Sequence, residues 1–234
     1  MLRLTLRNRV ADWGLAALAA VTDRPRWQAL VAFADQADAG GIARLSDDDT
    51  GHLLADGEIF ESIGQGVRLQ PSLIDNLDEL RERVSRFDAI LADSSHRPAP
   101  FEWGEYPPLP QPDTPEPDPV EQHWTLVTAG LLYRQGLYFE VHELLEPCWL
   151  RLRGADRLFW QGLIQIAVGL HHHSNGNLRG ALALLDDGNA TLKPFRPAHN
   201  GMELDRFCEG IDRCSVHLSH SRLTAHDLPQ WQTE

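Results

Sequence analysis

The sequence predicts a mostly α-helical protein made of two parts. Apolar residues recur every three or four positions through most of the chain, which is typical of amphipathic helices. A single short hairpin gives the main strand signal. Residues 96–119 hold nine prolines, a density that no helix can continue through. The predicted division is a helical module over 1–95, a proline-rich linker over 96–119, a helical bundle over 120–221 and a tail over 222–234.

The first part is predicted to run helix, helix, short helix, hairpin, helix. Apolar residues 13–21 form the first helix, and residues 26–38 form a second that Gly40-Gly41 ends. Ser46 is a suitable N-cap for a short helix that ends at Leu54, and the two strands flank Gly64-Gln65-Gly66. A long amphipathic helix follows over 72–93.

That order of elements resembles a winged-helix module, whose usual role is to bind DNA. The candidate recognition segment, however, is Ser46-Asp47-Asp48-Asp49, and three aspartates would be repelled by phosphates. We therefore expect residues 1–95 to contact protein or to cap the second part. The linker is expected to be either an extended, semi-rigid tether or a strap packed on a surface.

The second part is predicted to be a bundle of αα-hairpins. Helical periodicity and turn residues place its helices at about 120–134, 137–153, 155–174, 177–192 and 203–221. Gly136 and Gly176 precede two of these helices in equivalent positions. The weak repeat predicts two stacked helical hairpins, too few for an open solenoid.

One helix of this bundle carries the most informative residues. An α-helix turns about 100° per residue, so His142 and Glu146 lie one above the other. Their sector is otherwise apolar, with Tyr138, Leu145 and Trp149. Ionisable groups on a buried face need partners, so a buried His142–Glu146 cluster is expected.

The same stretch resembles a known family. The pattern is His142-x-x-x-Glu146-x-x-Trp149, preceded by Gly136-x-Tyr138-Phe139-Glu140 and followed by similar blocks at 157–165 and 171–177. It is similar to the signature of the bacterial and archaeal domain of unknown function 309 family over about residues 122–195. The resemblance implies an all-helical domain and a metal-binding role for the His and Glu, but it supplies no activity. Pro147 is a local departure.

Two interpretations of the cluster remain open. In the first, the cluster is a closed hydrogen-bonded network that fixes the register of the helices; its members are His142, Glu146, Arg157, Gln161 and Gln165. In the second, His142 and Glu146 bind a divalent metal (Zn, Mn or Fe) with His172, or alternatively Gln165, as the third ligand. Glu143, or alternatively Glu146, is then the candidate catalytic base of a hydrolase-like reaction.

Charge and composition restrict the partners. The net charge of −13 argues against nucleic acids and anionic membranes. The three cysteines are too few and too scattered for a disulfide framework, and no apolar run is long enough to span a membrane. We therefore predict a cytoplasmic binding or scaffold domain, with a protein partner or a second copy of the chain as its contact; the alternative is the metal-dependent domain.

Overall fold

The computed structural model describes residues 2–45, 51–64, 66–93, 115–219 and 228–233. The chain divides into two compact units, Met1–Trp103 and Gly104–Glu234. The predicted mostly α-helical class is confirmed. Most of the predicted linker lies outside the described residues, so its conformation stays a prediction. Within the described ranges, no helix is both long enough and apolar enough to cross a membrane.

The N-terminal unit contains helices, a β-hairpin and one further strand. In chain order its elements are α1 (Leu4–Ala19), α2 (Arg24–Gln36), β1 (Ile42–Ala43), α3 (Gly51–Leu54), β2 (Phe60–Ile63), β3 (Gly66–Leu69) and α4 (Leu77–Ala92). The predicted hairpin is present as β2 and β3, which pair antiparallel with Phe60 opposite Leu69. Short 3-10 turns precede α2 and α4.

The sheet of this unit differs from the prediction in one respect. Strand β1, which the sequence did not reveal, pairs antiparallel with β3, so the strand order is β1-β3-β2. With only two residues, β1 is too short to show an alternating pattern. The winged-helix likeness stays a prediction, and the proposed recognition residues 46–49 lie outside the described part of the chain.

Four large aromatic side chains pack in pairs in the core of the N-terminal unit. The rings of Trp27 and Phe87 lie 5.1 Å apart between α2 and α4, and those of Phe33 and Phe60 lie 4.9 Å apart. All four residues are almost fully buried. Gly14 lets α1 approach this core, because a Cβ at that position would be 2.6 Å from the Phe87 ring.

The C-terminal unit is a succession of antiparallel helices. These are α5 (Pro119–Arg134), α6 (Tyr138–Arg151), α7 (Gly154–Ser174) and α8 (Leu178–Leu192), followed by the strands β4 (Ala198–His199) and β5 (Met202–Glu203) and by α9 (Asp205–Ser219). From α5 to α9, each helix packs on the next one along the chain. The β4–β5 hairpin was not predicted.

Glycines permit both the tight turns and the close packing of these helices. Gly136 and Gly176, between α5 and α6 and between α7 and α8, have φ values of 69° and 75°, a conformation that favours glycine. Helices α7 and α8 approach closely at Gly162 and Gly188: a Cβ on Gly188 would lie 2.9 Å from the Gly162 carbonyl oxygen. The predicted hairpins of helices are therefore confirmed.

Candidate functional site

His142, Glu143 and Glu146 form a polar group on α6, which we call the His142 site. The Nδ1 atom of His142 lies 3.0 Å from Glu143 Oε1, a hydrogen-bond distance. Its Nε2 atom lies 3.7 Å from Glu146 Oε2, one turn further along the helix. The two carboxylates therefore lie next to the two different ring nitrogens of one imidazole.

The His142 site is partly open to solvent, so the expectation of a buried cluster is wrong. The exposed fractions of the side chains are 25% for His142, 14% for Glu143 and 32% for Glu146. Periodicity correctly placed His142 and Glu146 on one face, but the helices next to α6 leave the edge of that face uncovered. Glu143, which follows His142 directly and so lies about 100° from it around the helix, is the more buried of the two carboxylates.

The fully buried acid of α6 is Glu140, with 0% exposure. It lies in the first turn of the helix, where the positive end of the helix dipole stabilises a carboxylate. The sequence contained a signal for it, since Glu140 follows Tyr138 and Phe139 in the family-like block. It was not singled out because His142 and Glu146 formed the more obvious pair.

Arg157, predicted to join the His142 network, instead closes the C-terminal end of α6. Its Nη1 atom donates to the carbonyl oxygens of Trp149 at 3.0 Å and Leu150 at 3.1 Å. Its guanidinium also stacks over the Trp149 ring, 4.2 Å from the centroid. The last carbonyls of a helix lack partners within the helix, and the arginine at the start of α7 satisfies them.

The two glutamines of the predicted network do not close it either. Gln165 accepts a hydrogen bond of 3.3 Å from Thr191 Oγ1 on α8, so it faces the opposite neighbour of α7. Gln161 is half-buried on the same helix, and no hydrogen bond joins it to His142 among the described residues. The five residues predicted to form one network therefore do not do so. The structure shows three separate contacts instead: within the His142 site, between Arg157 and α6, and between Gln165 and α8.

The histidine triplet on α7 contacts α6 through His171. Its ring lies 5.5 Å from the Phe139 ring, while the Nδ1 atom of His172 lies 3.1 Å from Asn177 Nδ2. His172 was the predicted third metal ligand. In the described ranges, no group of three or more His, Cys, Asp or Glu side chains is arranged to hold a metal ion. The set of His142, Glu146 and His172 is therefore not assembled, because the last turn of α7 presents a different histidine to α6.

The thiols of this unit are unsuited to nucleophilic chemistry. Cys148, Cys208 and Cys214 are free and buried. Burial raises the pKa of the Cys148 thiol far above its usual value, and burial likewise raises the pKa of Cys208 to about 11. Both groups are protonated at neutral pH, whereas the reactive form of cysteine is the thiolate.

A second histidine–carboxylate pair lies elsewhere in the same unit. His199 Nε2 on β4 is 2.8 Å from Asp156 Oδ1 in the first turn of α7. The imidazole also packs on two phenylalanine rings, at 4.7 Å from Phe159 and 4.9 Å from Phe195. Sequence analysis missed this pair because 43 residues separate its members and no spacing rule links them.

Comparisons with known proteins concern the helices that form this region. The family model "Domain of unknown function (DUF309)" matches residues 126–184, which confirms the resemblance carried by the His142 block. The "Uncharacterized protein YpuF" of Bacillus subtilis (strain 168) is 38% identical over 69 residues. That match covers 29% of this chain and 40% of the relative. No solved structure matches the chain significantly.

Proposed function

We propose that the C-terminal unit, whose residues 126–184 match the domain of unknown function (DUF309) model, is a binding domain that recognises a cationic group of a protein partner at the His142 site. One observation supports this most: an imidazole oriented by a carboxylate remains partly exposed on the helix surface. A binding site has to remain accessible to its ligand, and this one is.

The charge of the site indicates what it would bind. Glu143 and Glu146 flank a single imidazole, so with ionised carboxylates the site is negative whether or not His142 carries a proton. A lysine or arginine side chain of a partner complements that charge. Arginine fits best, because its planar fork can engage a carboxylate with two parallel hydrogen bonds.

Binding of defined basic peptides tests this proposal. The probe is a fluorescent hexa-arginine peptide, titrated into the full chain and followed by anisotropy. We expect the double variant E143Q/E146Q to bind at least tenfold more weakly than the wild type. The charge-matched control is D186N/D187N, which removes the same two charges at exposed positions of α8. Equal losses in both variants would mean that only net charge attracts the peptide, and the proposal would fail.

A divalent metal is the second candidate ligand, and the orientation of His142 favours it. Histidine ligands of metals commonly donate their other ring nitrogen to a carboxylate, which raises their basicity. Glu143 occupies that position at Nδ1, while Nε2 and the Glu146 carboxylate lie on the other side. Two protein donors leave the remaining coordination positions to water. Glu143, the candidate catalytic base, would then orient the imidazole.

Thermal unfolding of the chelator-treated protein with Zn, Mn or Fe(II) tests the metal candidate. A ligand that binds only the folded state at a hundredfold excess over its Kd stabilises that state by about 2.7 kcal/mol. We expect the Tm of the wild type to rise, and the rise to disappear in H142A and E146Q. The control H173A, on the last turn of α7, should keep the full shift. A shift that H142A retains would place the metal elsewhere.

A further inference from the structure

The N-terminal unit has a cleft between α2 and α4. The cleft has a volume of about 510 Å³, which is within the range of sites that bind small molecules. Asp35 on α2 and Glu82 and Asp88 on α4 line it, together with the apolar side chains of Val31 and Val84. We call this space the α2–α4 cleft. It shares no residue with the His142 site, so it requires an explanation of its own.

The two helices run antiparallel along the cleft. Trp27, near the start of α2, packs on Phe87, near the end of α4, with ring centroids 5.1 Å apart. Arg81, in the second turn of α4, donates from Nε to the carbonyl oxygen of Ala34, near the end of α2, at 2.9 Å. Residues late in α2 therefore lie beside residues early in α4.

Carboxylates line both ends of the cleft. Asp35, near the end of α2, lies at the same end as Glu82, which is early in α4. Asp88 comes six residues after Glu82, a separation of about 9 Å along the helix axis. Glu82 pairs with Arg86 on its own helix. Among the described residues, no ion pair joins Asp35 or Asp88 to a basic side chain, so both charges are available to a ligand.

The middle of the cleft is apolar. Ala34 and Val84 are buried there, and Val31 is half-buried. Ser85, at the exposed rim, adds a hydroxyl group. Methylene groups that pack on this floor are removed from water, which is favourable.

Arg81 also lines the cleft, but it does not neutralise the acidic side chains. Its guanidinium holds the end of α2 through Ala34, and its Nη1 atom lies 3.1 Å from Asp78 Oδ1, one turn earlier on α4. Three carboxylates and one guanidinium line the cleft, so the lining keeps an excess of negative charge.

We propose that the α2–α4 cleft binds a linear aliphatic polyamine. One ammonium group pairs with Asp35 and Glu82, and a second pairs with Asp88 at the other end. The methylene chain between the two ammonium groups covers Val31 and Val84. Opposite charge at both ends and an apolar surface between them are the features that select this class of ligand.

Other cations match the cleft less well. A compact metal ion does not use the apolar middle, and a lysine side chain of a protein carries one ammonium group, which reaches one acidic end. Exposed ion pairs are individually weak. Two such pairs within one ligand reinforce each other, because the first contact raises the effective concentration of the second group.

Calorimetric titration of the full chain with spermidine at low salt tests the proposal. We expect saturable binding of one spermidine to the wild type and at least tenfold weaker binding to D35N/D88N. The charge-matched control D186N/D187N, at exposed positions of α8, should keep the wild-type affinity. The variant E143Q/E146Q should keep it as well, so the result is independent of the proposed function of the His142 site.

The length and charge of the ligand provide the second comparison. n-Butylamine, with one ammonium group, should bind the wild type at least tenfold more weakly than spermidine. An equimolar concentration of Mg²⁺ should not displace spermidine, because a compact dication cannot occupy both ends.

Several results would overturn the proposal. Equal weakening in D35N/D88N and D186N/D187N would mean that net charge alone attracts the polyamine. Weakening in E143Q/E146Q but not in D35N/D88N would place it at the His142 site. Equal affinity for n-butylamine, or displacement by equimolar Mg²⁺, would mean that the two ends do not act together.

Amide chemical shifts of the wild-type protein give a test that does not depend on the folding of a variant. On titration with spermidine, the amides of Asp35, Ser85 and Asp88 should shift, whereas those of His142 and Asp187 should not. Shifts confined to the C-terminal unit, or no shifts in α2 and α4 at saturation, would contradict the assignment of the ligand to the α2–α4 cleft.

Discussion

The two histidine–carboxylate pairs of the C-terminal unit are assembled in different ways. The His142 site comes from one turn of α6, and its imidazole lies 6.2 Å from the Phe139 ring, centroid to centroid. The second pair joins β4 to α7, and Phe159 and Phe195 enclose its histidine within 5 Å. The side chains of the two histidines are similarly exposed, at 25% for His142 and 27% for His199, so the pairs differ in that one lies within a single helix and the other joins two elements.

The largest expected effect of this difference is on stability. His199→Ala should destabilise the protein by about 2–3 kcal/mol, because it removes a hydrogen bond to a carboxylate and two aromatic contacts. His142→Ala should cost less than about 1 kcal/mol, since its carboxylate partners are on the same helix and it joins no second element. Urea denaturation of both variants measures the difference. Equal losses would mean that the His142 site also holds elements together.

The contrast also explains which parts of the site the sequence could reveal. His142 and Glu146 are four residues apart, and helical geometry alone places them on one face. The exposure of that face depends on how far the neighbouring helices cover it, which no local pattern encodes. The helices themselves were predictable because apolar periodicity and glycine turns act locally.

Contacts between elements were the part that could not be predicted. Arg157 and Gln165 share a sector of α7, yet the first reaches back to α6 and the second forward to α8. Helix α7 packs against both α6 and α8, so polar residues in one narrow sector at its edge can contact either helix. Strand β1 and the β4–β5 hairpin, at two residues per strand, are similarly too short for a periodic signal.

An intermediate effect on stability is expected from substituting Arg157, which joins the start of α7 to the C-terminal end of α6. Arg157→Lys should destabilise by about 1–2 kcal/mol, because lysine cannot span several carbonyl oxygens while stacking flat on Trp149. The matched control is Arg153→Lys, whose side chain is 66% exposed and pairs with Glu116 at 3.5 Å. That control should change stability by less than about 0.5 kcal/mol. Thermal denaturation of both variants provides the comparison, and similar Tm values would show that the stack on Trp149 contributes little.

The smallest and most discriminating effect is expected within the His142 site. Helical spacing alone favours Glu146 as the buried partner of His142, whereas the structure gives the shorter distance and the lower exposure to Glu143. Glu143→Ala should therefore cost about 0.5–1 kcal/mol, the usual net contribution of one hydrogen bond. Glu146→Ala should cost less than about 0.5 kcal/mol, as for an exposed ion pair on a helix. Both substitutions introduce the same helix-favouring residue on one helix, so propensity cancels in the difference between them. Chemical denaturation at pH 7 with replicate titrations resolves the two losses. A greater loss for Glu146→Ala would restore the order expected from helical spacing and would indicate that the open face of α6 is covered in solution.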